Sequence, residues 1–147
     1  MEILGPVLAG LVAFVTMEGA AWAAHKYWMH GWLWPLHADH HTKEPGFFEK
    51  NDAFFLIFAI PSWLCIMLGM IYLNDLSVGI GIGIAIYGLA YFLVHEVLIH
   101  RRLNWFDGID NKYIQSIKRA HRAHHEKTEK KNGKSFGLLI FPLVYFK

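Results

Sequence analysis

Polar positions are scarce over three long stretches of this chain, Ile3 to Ala24, Ala53 to Leu73 and Ser77 to Ile99, and crowd into residues 25–52 and 100–134. Each apolar stretch has close to the about 20 residues that a helix needs to cross a bilayer. Pro61 in the second stretch and Gly79, Gly81, Gly83 and Gly88 in the third argue against rigid water-soluble helices, yet both residue types are common in membrane spans. A last apolar run, Phe136 to Phe146, is too short to cross and reads as an interfacial or packed segment. The pattern predicts an all-α integral membrane protein, a single domain over residues 1–147 with three transmembrane helices. Composition agrees, because 54% apolar residues and a mean hydropathy of +0.27 are high for a soluble chain of 147 residues.

Charge orients the spans. Thirteen of the fourteen Lys and Arg residues fall between Lys26 and Lys50 or between Arg101 and Lys134, whereas the Asn74 to Leu76 turn carries only Asp75 and the N-terminus only Glu2. The positive-inside rule then places both basic segments on the cytoplasmic side, as a helical cap, and the N-terminus outside; a bacterial inner membrane is the expected location. The net charge of +2 thus reports topology rather than a nucleic-acid partner. "GAAWAA" at residues 19–24 has the small residues of a cleavage site, but no positive region precedes the apolar run, so the first stretch is expected to stay as a span. The one cysteine, Cys65, sits in the second span, which leaves no disulfide, four-cysteine cluster or CxxC pair.

The cap carries the chemistry. All ten histidines fall into four clusters: "HKYWMH" (His25, His30), "HADHH" (His37, His40, His41), "HEVLIH" (His95, His100) and "HRAHH" (His121, His124, His125). On a helix each triplet, at i, i+3 and i+4, can present three imidazoles to one volume. Each pair, at i and i+5, diverges by about 140° on an ideal α-helix, so it converges only by straddling a site or where the helix loosens. Both pairs stand at the cytoplasmic ends of spans, with Gly31 just after His30 and the break-prone "LNWFDGID" soon after His100. A single histidine at a span end is ordinarily an interfacial hydrogen-bonding residue; four clusters with none left over, at one membrane face, point to metal.

Ten imidazoles exceed one zinc site. Shared between two octahedral ions they offer up to five each with an open position, which suits iron, with zinc and manganese left open by ligand type. Asp39, Glu96 and Glu126 stand beside ligand histidines and are expected to accept their far N–H groups. Glu18, inside the first span and seven residues before His25, is either a carboxyl near the site or one partner of a hydrogen bond between helices.

The blocks "AHKYWMHG", "HADHH", "EKNDAFF", "YFLVHEVLIHRR", "AHRAHH" and "GKSFGLLIFP" resemble the bacterial β-carotene 3-hydroxylases of the fatty acid hydroxylase and sterol desaturase superfamily, from about Met17 to Pro142. The resemblance implies a non-haem di-iron monooxygenase that adds hydroxyl groups at carbon 3 of the β-ionone rings, with dioxygen as co-substrate. It also implies that all ten histidines are ligand candidates.

Electrons must come from outside. "GIGIGI" at residues 79–84 lies within a span and reads as a packing surface rather than a dinucleotide site. A ferredoxin-like donor and its reductase are therefore implied. The basic segment Lys112 to Lys134 is a docking face for that donor, or an anchor on anionic membrane lipids. Tyr27, Trp28, Trp32, Tyr91, Phe92 and Trp105 either line a substrate slot or form an interfacial belt. A sterol or acyl-lipid substrate, and haem binding or metal transport, are the rival readings.

Overall fold

A computed structural model describes residues 3–42, 47–106, 108–109, 111–126, 129–131 and 133–146. Glu2, Lys43, Asp107, Asp110 and Lys127, which entered the arguments on charge and helix breaks, lie outside the described residues. Among the described residues the fold is all helical, without strands. The elements are α1 (Leu4–Ala23), α2 (Trp34–Thr42), α3 (Leu56–Ile71), α4 (Asp75–Tyr91) and α5 (Lys112–His125), together with π-helical turns at Ala24–Trp32 and Phe92–Ile99. Three continuous helical stretches, Leu4–Trp32, Lys50–Ile71 and Asp75–Ile99, are long and apolar enough to cross a membrane.

The chain separates into two compact units. The first, residues 1–19 and 54–91, is built from α1, α3 and α4. Its packing explains the glycine run. A Cβ at Gly79 would strike the Pro6 carbonyl and one at Gly83 the Gly10 carbonyl, so α4 presses its backbone directly against α1. Gly81 does the same towards α3, where a Cβ would lie 2.8 Å from the Ser62 carbonyl oxygen, and the Ser62 hydroxyl donates to Gly81 O at 2.8 Å. Close backbone approach of this kind replaces the hydrophobic drive that lipid cannot supply between helices. The opposite faces, including Leu11, Val12, Val15, Trp63, Ile82 and Ile86, stay uncovered, as lipid-facing surface should. Leu73 takes the left-handed conformation (φ 53°) and the Asn74 side chain caps Ser77 N at 3.1 Å, which closes the α3–α4 hairpin.

The second unit, residues 20–53 and 92–147, holds all ten histidines. In it α5 is capped by Asn111, whose side chain accepts from Ile114 N at 3.0 Å. The helix buries one face made of Ser116, Ile117, Ala120, His121 and His124. The last apolar run packs only in part: Leu138 is buried, Tyr113 donates to Leu139 O at 2.7 Å and Arg119 Nη2 donates to Tyr145 O at 2.9 Å, whereas Ile140, Leu143, Val144 and Phe146 are exposed.

Candidate metal centre

The two i, i+5 pairs converge because their helices widen. His25 and His30 lie in the π-helical turn Ala24–Trp32, and His95 begins the wide turn that reaches His100, with His100 N donating to His95 O at 3.0 Å. A ladder of i→i+5 bonds puts residues five apart on one face, which an α-helix would separate by about 140°. Each widened stretch then breaks, at Gly31 by leaving helical φ and ψ and at Arg101 by a left-handed φ of 56°. These are the loosened ends that the spacing required.

The imidazoles gather into two adjacent groups. One consists of His25, His30, His37, His41 and His124; the other of His40, His95, His100 and His121, with the ligand atoms of each group within 4.8 Å of one another. The expectation that a triplet serves one volume therefore needs correction, since His37 and His41 face one group and His40 the other, and α5 likewise divides His124 from His121. Successive residues of an α-helix are offset by about 100°, so the i+3 and i+4 members flank the inward face and point to either side of it. His125 lies beside both groups, its ring centroid 4.5 Å from those of His41 and His121 and 4.8 Å from that of His40.

Outer acceptors fix which nitrogen of each ring carries the proton. His25 Nδ1 donates to Phe136 O (3.0 Å), His30 Nδ1 to Lys130 O (3.2 Å), His124 Nδ1 to Lys134 O (2.9 Å) and His37 Nδ1 to Asn51 Oδ1 (2.7 Å). In the second group His40 Nδ1 donates to Glu49 Oε2 (2.7 Å) and His95 Nδ1 to Glu96 Oε1 (2.6 Å). A neutral ring with its proton on Nδ1 presents a bare lone pair at Nε2. Yet His25 Nε2 faces His37 Nε2, and His30 Nε2 faces His124 Nε2, each at 3.2 Å. Lone pairs this close repel unless a cation lies among them. His40 Nε2 and His125 Nε2 are buried with no hydrogen-bond partner among the described residues, an arrangement costing roughly 1–3 kcal/mol per group if nothing fills it. The donor set fits imidazole-binding transition metals such as iron.

Protonation is suppressed as ligation requires. Burial lowers His37 to about 2 against the hydrogen bond that it donates to Asn51, and burial with the neighbouring His41 and His30 lowers His124 to about 3. Burial first, then crowding by other imidazoles, holds His40, His121 and His125 well below the ordinary histidine range. All five are neutral at pH 7, the form that binds metal.

Comparison with known proteins agrees with this geometry. The fatty acid hydroxylase profile matches residues 10–143. The chain is 44% identical over 137 residues to a β-carotene hydroxylase of Pantoea ananas, covering 90% of this chain and 77% of that one. It is 40% identical over 131 residues to the β-carotene hydroxylase of Pseudescherichia vulneris, covering 88% and 73%. The chain belongs to the fatty acid hydroxylase family. It is also 35% identical to a chloroplastic β-carotene hydroxylase of Capsicum annuum, where it spans 96% of its own length and 46% of the plant protein. No solved structure matches.

The carboxylates of this family member are distributed differently from the sequence-based expectation. Glu96 does accept from a neighbouring imidazole, that of His95. Asp39 does not take an imidazole proton: its Oδ2 accepts from Lys50 N at 2.6 Å and so ties α2 to the segment that carries Glu49 and Asn51. Glu126 is exposed at the C-terminus of α5. Glu18 belongs to the span unit, where Tyr87 donates to its Oε2 at 2.7 Å, the interhelical hydrogen bond left open above. Tyr27, Trp28, Trp32 and Trp105 are exposed, as belt residues would be.

Sequence reasoning missed Glu49, Asn51 and Arg102. Glu49 follows His40 by nine residues, beyond any helical spacing, and Asn51 stood unread inside "EKNDAFF". The carbonyls of Lys130, Lys134 and Phe136 carry no sequence signal, because every residue has one.

Proposed function

We propose that this chain, working as one membrane-embedded domain, hydroxylates the β-ionone rings of β-carotene at carbon 3 with dioxygen, giving β-cryptoxanthin and then zeaxanthin. The observation that carries the reading is the convergence of imidazole lone pairs into two adjacent groups, in a chain 44% identical to a β-carotene hydroxylase. Two iron ions, one in each group, supply the dioxygen activation that an unactivated ring C–H demands and that side chains alone cannot provide.

His25, His30, His37, His41 and His124 hold one position, His40, His95, His100 and His121 the other, and His125 completes the pair from its place beside both. Glu49, Glu96 and Asn51 orient their imidazoles by accepting the Nδ1 protons, and Asp39 keeps Glu49 and Asn51 in place through Lys50. His25, His30 and His95 stand near the ends of stretches long and apolar enough to cross a membrane, which supports a centre at a membrane face, and the positive-inside rule favours the cytoplasmic face of a bacterial inner membrane. An apolar substrate dissolved among lipid tails then reaches the centre without crossing water. A ferredoxin-like donor, fed by its reductase, docks on the basic surface that begins at Lys112, which also contacts anionic lipid.

Expression in a bacterial host that accumulates β-carotene, with a compatible donor, tests the reading. It predicts singly and then doubly hydroxylated products whose new oxygen derives from labelled dioxygen. Iron-loaded protein that leaves β-carotene unchanged but hydroxylates a sterol or an acyl lipid would contradict the substrate.

A further inference from the structure

The two imidazole groups are oriented by chemically different outer partners, and one arginine gathers those of the second. Arg102 is only 15% exposed and meets three carboxylates at once: Nη1 donates to Asp52 Oδ1 at 2.8 Å, while Nη2 and Nε make ion pairs without hydrogen-bond geometry to Glu49 Oε2 (2.9 Å) and Glu96 Oε2 (2.8 Å). Two of these carboxylates are the acceptors of His40 Nδ1 and His95 Nδ1. Glu49 and Glu96 lie on separate segments, so the guanidinium is the link between the two histidine–carboxylate pairs. Asp52 adds a further tie, since its Oδ2 accepts from Glu49 N at 3.0 Å.

The other group is oriented by different chemistry. Four of its five imidazoles donate to neutral oxygens, the backbone carbonyls of Lys130, Lys134 and Phe136 and the amide of Asn51. Lys130, Lys134 and Phe136 clasp three of these rings through their carbonyls. Ser135 adopts a left-handed φ of 56°, and the Phe136 ring stands edge-on to His25, His30 and His124 with centroids 5.2–5.5 Å away.

We infer that Arg102 is a positioning residue for one metal position only, that of His40 and His95, while Asn51 and the Lys130, Lys134 and Phe136 carbonyls orient the rings of the other. The inference rests on the two-metal reading proposed above. Its physical basis is that an outer partner acts on a metal chiefly through the ring it orients, so partners of different rings act first on different ions.

Cobalt(II) titration of the metal-free, full-length protein in micelles, followed by the cobalt absorption bands, tests this. Wild-type protein should take up two equivalents. Arg102→Ala should weaken one equivalent about 10–100-fold, the range typical of lost outer-shell partners, and leave the other unchanged. Asn51→Ala should also weaken one and spare one, and the double variant should weaken both, because the two changes act on separate ions. Arg102→Lys, a point charge without the fork, should recover only part of the loss.

If Arg102→Ala weakens both equivalents together or neither, or if the double variant keeps one tight equivalent, the inference is wrong. Should Arg102→Ala not fold, Glu49→Gln reads the same link through His40 and is judged by the same outcomes. Wild-type protein that binds one ion or none would overturn the two-metal reading itself, and this inference with it.

Discussion

An imidazole is turned inward here by the oxygen on its far side. His25, His30, His37 and His124 are fixed in one tautomer by oxygens that cannot donate, which turns four Nε2 lone pairs inward. The histidines themselves were plain in the sequence, because ten residues in four clusters leave none to chance. Their orienting partners were not, because Glu49 reaches His40 across a loop and three of the acceptors are main-chain atoms. The same burial has a pH consequence. His37 and His124 titrate near 2 and 3 in the folded chain but near 6.5 when unfolded. Between those values the unfolded chain binds more protons, so the stabilising contribution is complete above about pH 6.5 and is lost progressively as pH falls towards the folded values. The metal-free protein should therefore show a lower thermal unfolding midpoint at pH 5.5 than at pH 7.5. A midpoint that stays level or rises on acidification would contradict the buried, neutral state of these rings.

At the level of elements, the spans were legible because length and apolar content decide membrane crossing, and Leu4–Trp32, Lys50–Ile71 and Asp75–Ile99 lie close to the stretches read from composition. The pair spacing required a loosened helix without saying how it loosens; the structure answers with π-helical turns at Ala24–Trp32 and Phe92–Ile99. Sharing of each triplet between two groups was not legible, since spacing gives the face of a helix and not which neighbour stands on either side of it. The glycines of α4 were read correctly as a packing surface, and they allow a sharp test. Gly83→Leu drives a side chain into the Gly10 carbonyl and should lower stability by about 1–3 kcal/mol or more, seen as a fall in the thermal midpoint in micelles. Gly19→Ala, where an added Cβ meets nothing within 4 Å, should hold or raise the midpoint. Equal effects of the two changes would remove close α1–α4 packing from the account.

For the whole molecule, the two compact units are built from different side chains. The span unit packs by glycine and exposes apolar surface, whereas the second unit collects all ten histidines with the carboxylates and Arg102 that organise them. Division of the imidazoles into five and four, with His125 beside both, is what a centre of two ions requires and a single zinc site does not. The central claim is that these groups bind two irons. Protein purified without metal, loaded with ferrous iron under exclusion of air and freed of excess should retain about two iron ions per chain by elemental analysis. Retention of one ion per chain, or a single tetrahedral zinc that iron cannot replace, would contradict it.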